Sequence, residues 1–111
     1  WLARFRGAPN PPWALDHIAH DPFEDLRAAR EALDDDVSRY VDGLTAAALA
    51  APVIYRAIVQ PVEVTQPLGE ALSHVFNHQT HHRGQAHALL TRLTGEAPSF
   101  DLILHQREKA A

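Results

Sequence analysis

Five of the chain's eight histidines fall within fourteen residues, at positions 74, 78, 81, 82 and 87 of Ser73-His74-Val75-Phe76-Asn77-His78-Gln79-Thr80-His81-His82-Arg83-Gly84-Gln85-Ala86-His87. On a helix, residues i and i+4 lie about 40° apart on one face. Two imidazoles at that spacing can converge on one cation. Neutral imidazole nitrogens bind zinc at about 2.0–2.1 Å, and His-x-x-x-His on a helix supplies two such donors. The run offers two pairs of this kind, His74/His78 and His78/His82.

Placement on the helix separates them. The apolar stripe runs Leu68, Leu72, Val75, His82, Ala86, Leu89 and Leu93. With Val75 at its centre, His82 falls about 20° away and His78 about 60°, whereas His74, His81 and His87 lie about 100–120° off. His78 and His82 are therefore expected to face the interior and ligate a divalent metal. His74 and His81 are expected as flanking or surface residues, and His87 on the surface. His17, His20 and His105 fall in segments read as loops or tail, with His20 a minor candidate ligand. The competing reading is structural: two inward histidines satisfied by protein groups, with no ion. An unpartnered buried imidazole is costly, and a metal satisfies one nitrogen on each ring.

The same run excludes other chemistry. Asn77 precedes His78 and Gln79 follows it, so the glutamate base of His-Glu-x-x-His peptidases is missing. No carboxylate pair, serine-nucleophile motif or phosphate-cradling glycine loop is present. Gln85 is positioned to orient a ligand or substrate, and Arg83 is expected to form an ion pair. Mid-helix Gly84 suggests a close helix contact, since glycine there costs up to about 1 kcal/mol relative to alanine.

The elements that must carry these residues follow from periodicity. Residues 1–6 read as the end of a helix stopping at Gly7. A loop through Pro9, Pro11, Pro12 and Trp13 leads to Asp21-Pro22, a helix start with an N-cap carboxylate. The next helix extends to Gly43, with Phe23, Leu26, Leu33, Val37, Tyr40, Val41 and Leu44 on one face; Glu31, Asp34, Asp35 and Asp36 read as solvated. Ala46–Ala51 can continue a helix. Val53–Val59 is β-branched and aromatic between prolines, and predicts an extended connector or one arm of a small hairpin with Glu63–Thr65. The histidine helix runs from about Pro67 to Gly95. The tail holds a short apolar turn and then charge.

The bulk numbers fit one small helical domain over residues 1–111. The apolar fraction is 46%, the charged fraction 22% and the net charge −4. An acidic chain without a basic stripe does not suit nucleic acid. No run of about 18 apolar residues suggests a membrane span. Zero cysteines exclude disulfides and thiolate metal sites, and a cytoplasmic location is expected. The chain has no methionine and begins at Trp1, from which further sequence upstream is expected.

The run from His74 to Leu90, with its His-x-x-x-His-Arg-Gly-Gln centre, resembles the signature helix of the DinB (damage-inducible protein) family, which is grouped with the DinB/YfiT-like metalloenzymes. The resemblance extends to Trp1–Phe5, Phe23–Arg30, Val53–Arg56, Asp101–Ile103 and Arg107–Glu108. It implies an all-α four-helix bundle, here lacking the first helix, often dimeric, with a divalent ion (zinc or nickel) on three histidines. Two of these match His78 and His82; the third would lie on a helix upstream of Trp1, leaving water, His20 or a neighbouring chain to complete the shell. Relatives include thiol-dependent transferases and isomerases. The resemblance thus implies a metal-dependent transferase or hydrolase acting on a small-molecule or thiol substrate. The alternative is a non-catalytic, metal-stabilised helical dimer or stress-response module. The family name reflects induction by DNA damage and does not imply DNA binding.

Overall fold

The computed structural model describes residues 1–110. Its elements are α1 (Leu2–Phe5), α2 (Phe23–Asp42), α3 (Ala46–Ala50), β1 (Pro52–Arg56), β2 (Glu63–Pro67), α4 (Leu68–Thr94) and α5 (Leu102–Ala110). The chain is mostly helical with one small two-stranded sheet. It divides into two compact units, Trp1–Ala71 and the chain from Leu72 onward. Among the described residues, no helix is long and apolar enough to cross a membrane.

In the first unit, chain punctuation sets the boundaries. Gly7 takes a left-handed φ of +71°, which ends α1 in the conformation glycine adopts at least cost. The start of α2 differs slightly from expectation. Pro22, not Asp21, holds the cap position, because its extended backbone (ψ 135°) places its carbonyl to accept from Leu26 N–H at 3.1 Å. Thr45 caps α3 through its side chain, whose hydroxyl accepts from Ala48 N–H at 3.1 Å. The alanine-rich segment is indeed a helix. The β-branched run pairs as anticipated, β1 antiparallel to β2, with Pro52 opposite Pro67 and Arg56 opposite Glu63. Both prolines sit at the end of the ladder, where a missing N–H is tolerated.

The core of this unit is small: Val53, Leu68 and Ala71 are buried. They join the hairpin to the first turn of α4, where Leu68 N–H also donates to Ala51 carbonyl at 2.9 Å. Gly69 is needed for that approach, since a Cβ there would lie 3.3 Å from the Leu49 carbonyl oxygen. The N-terminal segment is held to the sheet by Arg4. Its guanidinium lies 4.6 Å from the Trp1 ring centroid and 5.2 Å from that of Tyr55, and its Nε donates to Asn10 Oδ1 at 3.0 Å. Asn10 in turn donates to the Arg56 carbonyl at 2.8 Å. Arg6 donates two bonds to the Asp36 carboxylate, at 2.7 and 2.8 Å. Asp36 is thus not simply solvated. The Arg6 hydrogen bond holds its carboxyl below the ordinary value, helped by the charges of Arg6 and Arg39. Asp34 pairs with Arg30 and Glu31 with Arg27, each one turn apart along α2.

In the second unit, α4 ends at Thr94, and Gly95 (φ +86°) donates its N–H to the Thr91 carbonyl at 2.9 Å. The tail is more ordered than its composition suggests. Leu102–Ala110 forms α5, begun by Leu104 N–H donating to the Asp101 carbonyl at 3.1 Å. The expected stripe of α4 is buried only at its start. Leu68, Ala71 and Leu72 are buried, while Leu89 and Leu93 are 59% and 80% exposed. Gly84 has no close neighbour; a Cβ there would meet nothing within 4 Å. Among the described residues, the close helix contact expected of it is not made.

Leu68 carries much of the little core there is. Leu68→Ala is expected to lower unfolding free energy by about 2–4 kcal/mol in urea melts, whereas Leu15→Ala, at a loop position that is 69% exposed, should stay within about 0.5 kcal/mol of wild type. Equal effects from the two would contradict this placement of the core.

Candidate metal centre

The histidine run lies wholly on α4, in the second unit, and one turn of helix brings two of its rings together. Nε2 of His78 stands 3.0 Å from Nε2 of His82. The ring centroids are 4.5 Å apart and the planes cross at 85°. The same two nitrogens thus meet within hydrogen-bond distance. Two ligands at zinc distances in a tetrahedral shell sit about 3.3 Å apart, so a small opening of this pair would admit an ion.

Gln85 fixes one partner. Its Oε1 lies 2.9 Å from Nδ1 of His82. A carbonyl oxygen only accepts, so Nδ1 carries the proton and Nε2 of His82 keeps its lone pair facing His78. With no ion present, His78 satisfies that lone pair by donating its Nε2–H. Ligation requires His78 to move this proton to its own Nδ1. Gln85 therefore orients the His82 ring, in the manner that outer partners orient metal-bound imidazoles.

The neighbouring rings do not converge in the same way. His74 and His81 lie 5.5 and 5.9 Å from His78, centroid to centroid, with planes inclined by only 15° and 18°. Although His78 is exposed, partial desolvation by its neighbours pushes its imidazole below the ordinary value of 6.5, and the charges of His82, His74 and His81 push it further the same way. Crowding thus keeps His78 neutral, the state a ligand must be in.

Four expectations need correction. His78 and His82 are both exposed rather than facing a packed interior. Their stripe marks a direction on α4, and a shared direction alone does not amount to burial. Arg83 forms no ion pair among the described residues; its Nη2 instead donates to Thr80 Oγ1 at 2.9 Å. His87 is half-buried, edge-on to Phe100 with centroids 5.7 Å apart, rather than a surface residue. His105 lies on α5 instead of in a loose tail. His17 rests against Trp13 at 5.4 Å, and His20 is exposed in the loop before α2; both belong to the first unit.

Among the described residues, no three His, Cys, Asp or Glu side chains are grouped to hold an ion. The donor set fits a divalent transition ion in kind, with two imidazoles of fixed direction, but supplies two positions of the shell.

A family model, the DinB family, matches residues 1–110. The chain belongs to the DinB family. Searches of curated proteins and of solved structures returned no match. In this DinB-family chain the converging histidines and Gln85 are all part of the one helix.

The proton balance of His78 is directly measurable. Its folded-state value lies below 6.5, so the unfolded chain binds more protons as the pH falls past 6.5. The contribution of His78 to stability is complete above that pH and is lost as the pH falls through its folded value. An NMR titration of the metal-free protein should place the His78 midpoint below 6.5, and His82→Ala should raise it. A midpoint at or above 6.5 would contradict the crowding described here.

Proposed function

We propose that this DinB-family protein binds a divalent transition ion, zinc or nickel, through Nε2 of His78 and Nε2 of His82, and uses it as a metal-dependent transferase or hydrolase on a small-molecule substrate, a thiol being the leading class. The 3.0 Å approach of the two Nε2 atoms carries the reading. Two side chains offered four residues apart on a helix have many rotamers available, and these two meet through the nitrogens a metal would take.

The ion, when bound, supplies Lewis acidity and lowers the pKa of whatever it holds. The chain's own residues do the rest. Gln85 holds Nδ1–H of His82 and so commits that ring to ligation. The packed imidazoles keep His78 neutral near physiological pH. A shell with two protein donors from α4 leaves positions for a third donor and for substrate, the opening that separates catalytic from structural sites.

A second reading keeps the ion and drops the chemistry: a metal-stabilised helical homodimer serving in stress response. Its support is the exposed apolar surface. Phe23 is 69% exposed and Leu26 50% on α2, as is Leu93 at 80% on α4. Such faces call for cover, and a second copy assembling a four-helix bundle would provide it. Both readings place the protein in the cell interior, with no nucleic-acid or membrane partner.

Metal analysis of the purified protein, with melting curves in the presence and absence of a chelator, tests the shared part. Bound ion should raise the melting temperature, since it binds the folded state alone. His78→Ala and His82→Ala should each abolish stoichiometric binding, and Gln85→Leu should weaken it by about 10–100-fold. Unchanged binding in both histidine variants would overturn the assignment. A panel of thiol-transfer and hydrolysis substrates separates the two readings: turnover with zinc or nickel supports the enzyme, and its absence with every metal tried leaves the structural dimer.

A further inference from the structure

A second cluster of chemistry-bearing residues lies on the same unit, away from the histidine pair. The later turns of α4, the segment after Gly95 and the start of α5 enclose a cleft of about 430 Å³. Arg83, Thr80 and His87 line it from the helix, and Ser99, Phe100 and Asp101 from the far side. A neighbouring hollow of about 650 Å³ shares five of these residues and continues along α5 to His105 and Glu108. His78, His82 and Gln85 line neither.

The charges of the cleft are opposite and do not cancel by contact. A guanidinium has five N–H donors, and Arg83 uses its side chain in a single bond, to Thr80 Oγ1. Asp101 accepts one bond from the Ser99 hydroxyl at 3.2 Å. Neither forms an ion pair among the described residues. Phe100 lines the same cleft, its ring edge-on to His87. The walls therefore present a carboxylate receptor, an ammonium receptor and an aromatic surface.

We propose that this cleft binds a free α-amino acid with an apolar side chain. Its carboxylate would take the fork of Arg83 with help from Thr80, as guanidinium groups bind carboxylates through paired N–H donors. Its ammonium would donate to Asp101, and its side chain would cover Phe100. The size is suitable, because pockets for small ligands run from about 300 Å³ upward. The charge balance is selective. Asp101, with Glu108 in the adjoining hollow, repels dianions, so inorganic phosphate and dicarboxylates are disfavoured although Arg83 alone would attract them. This site is independent of the metal reading and stands or falls without it.

The test uses the whole chain, L-leucine as probe, and amide chemical shifts as readout, with inorganic phosphate, N-acetyl-leucine and leucinamide as comparison ligands. Leucine should move the amide resonances of Gly84, Ser99, Phe100 and Asp101. Each capped analogue, lacking one charge, should bind roughly tenfold more weakly or worse. Arg83→Gln should erase the preference for leucine over leucinamide and keep that over N-acetyl-leucine. Asp101→Asn should do the reverse while retaining a side chain suited to a helix start; circular dichroism checks that both variants keep their helices. No shift at these amides, equal binding of all three leucine forms, or tighter binding of phosphate at the same residues would overturn the proposal.

Discussion

The contact between His78 and His82 is a contest between two ways of satisfying a nitrogen lone pair. Without an ion, one imidazole must donate to the other, and the pair shares a single proton across 3.0 Å. An ion bound as proposed would need both Nε2 lone pairs free, with the His78 proton on its outer nitrogen. Gln85 favours one state of His82, because its amide oxygen, as placed 2.9 Å away, accepts a proton carried on Nδ1. Everything proposed for the centre depends on that tautomer. With the opposite one, His82 would present an N–H to the ion.

The surroundings of the pair act on the same balance. A free exposed histidine takes up a proton near neutrality and is then useless as a ligand. Partial desolvation of His78 disfavours its charged form, and the packing of His82, His74 and His81 around it adds to this. The stacked rings of His74 and His81 thus act on the protonation balance of His78. The support for the helix itself is concentrated at its first turn, where Leu68 and Ala71 are buried beside the hairpin, while the site sits on the exposed continuation.

Much of this was readable from residue order. Helix α4 was delimited by Pro67 and Gly95, and the hairpin by a β-branched run between prolines. The pairing of His78 with His82 followed from i, i+4 geometry. Other features were hidden for identifiable reasons. Leu102, Ile103 and Leu104 are consecutive, so they point around α5 in three directions and show no stripe. The Arg6–Asp36 bond joins residues thirty positions apart. Arg83 and Asp101 meet one cleft only because the chain reverses after Gly95. Exposure of the histidines escaped sequence reasoning most completely: periodicity tells which residues share a face, and only tertiary packing tells whether that face is covered.

The central claim concerns two particular nitrogen atoms, and long-range proton–nitrogen NMR of the imidazole rings reports on them individually. On stoichiometric addition of zinc, the account predicts that Nε2 of His78 and Nε2 of His82 shift together to the range of metal-bound nitrogens, while Nδ1 of both rings reads as protonated. Ligation through Nδ1 of either ring, or a response confined to His17, His20 or His105, would contradict it.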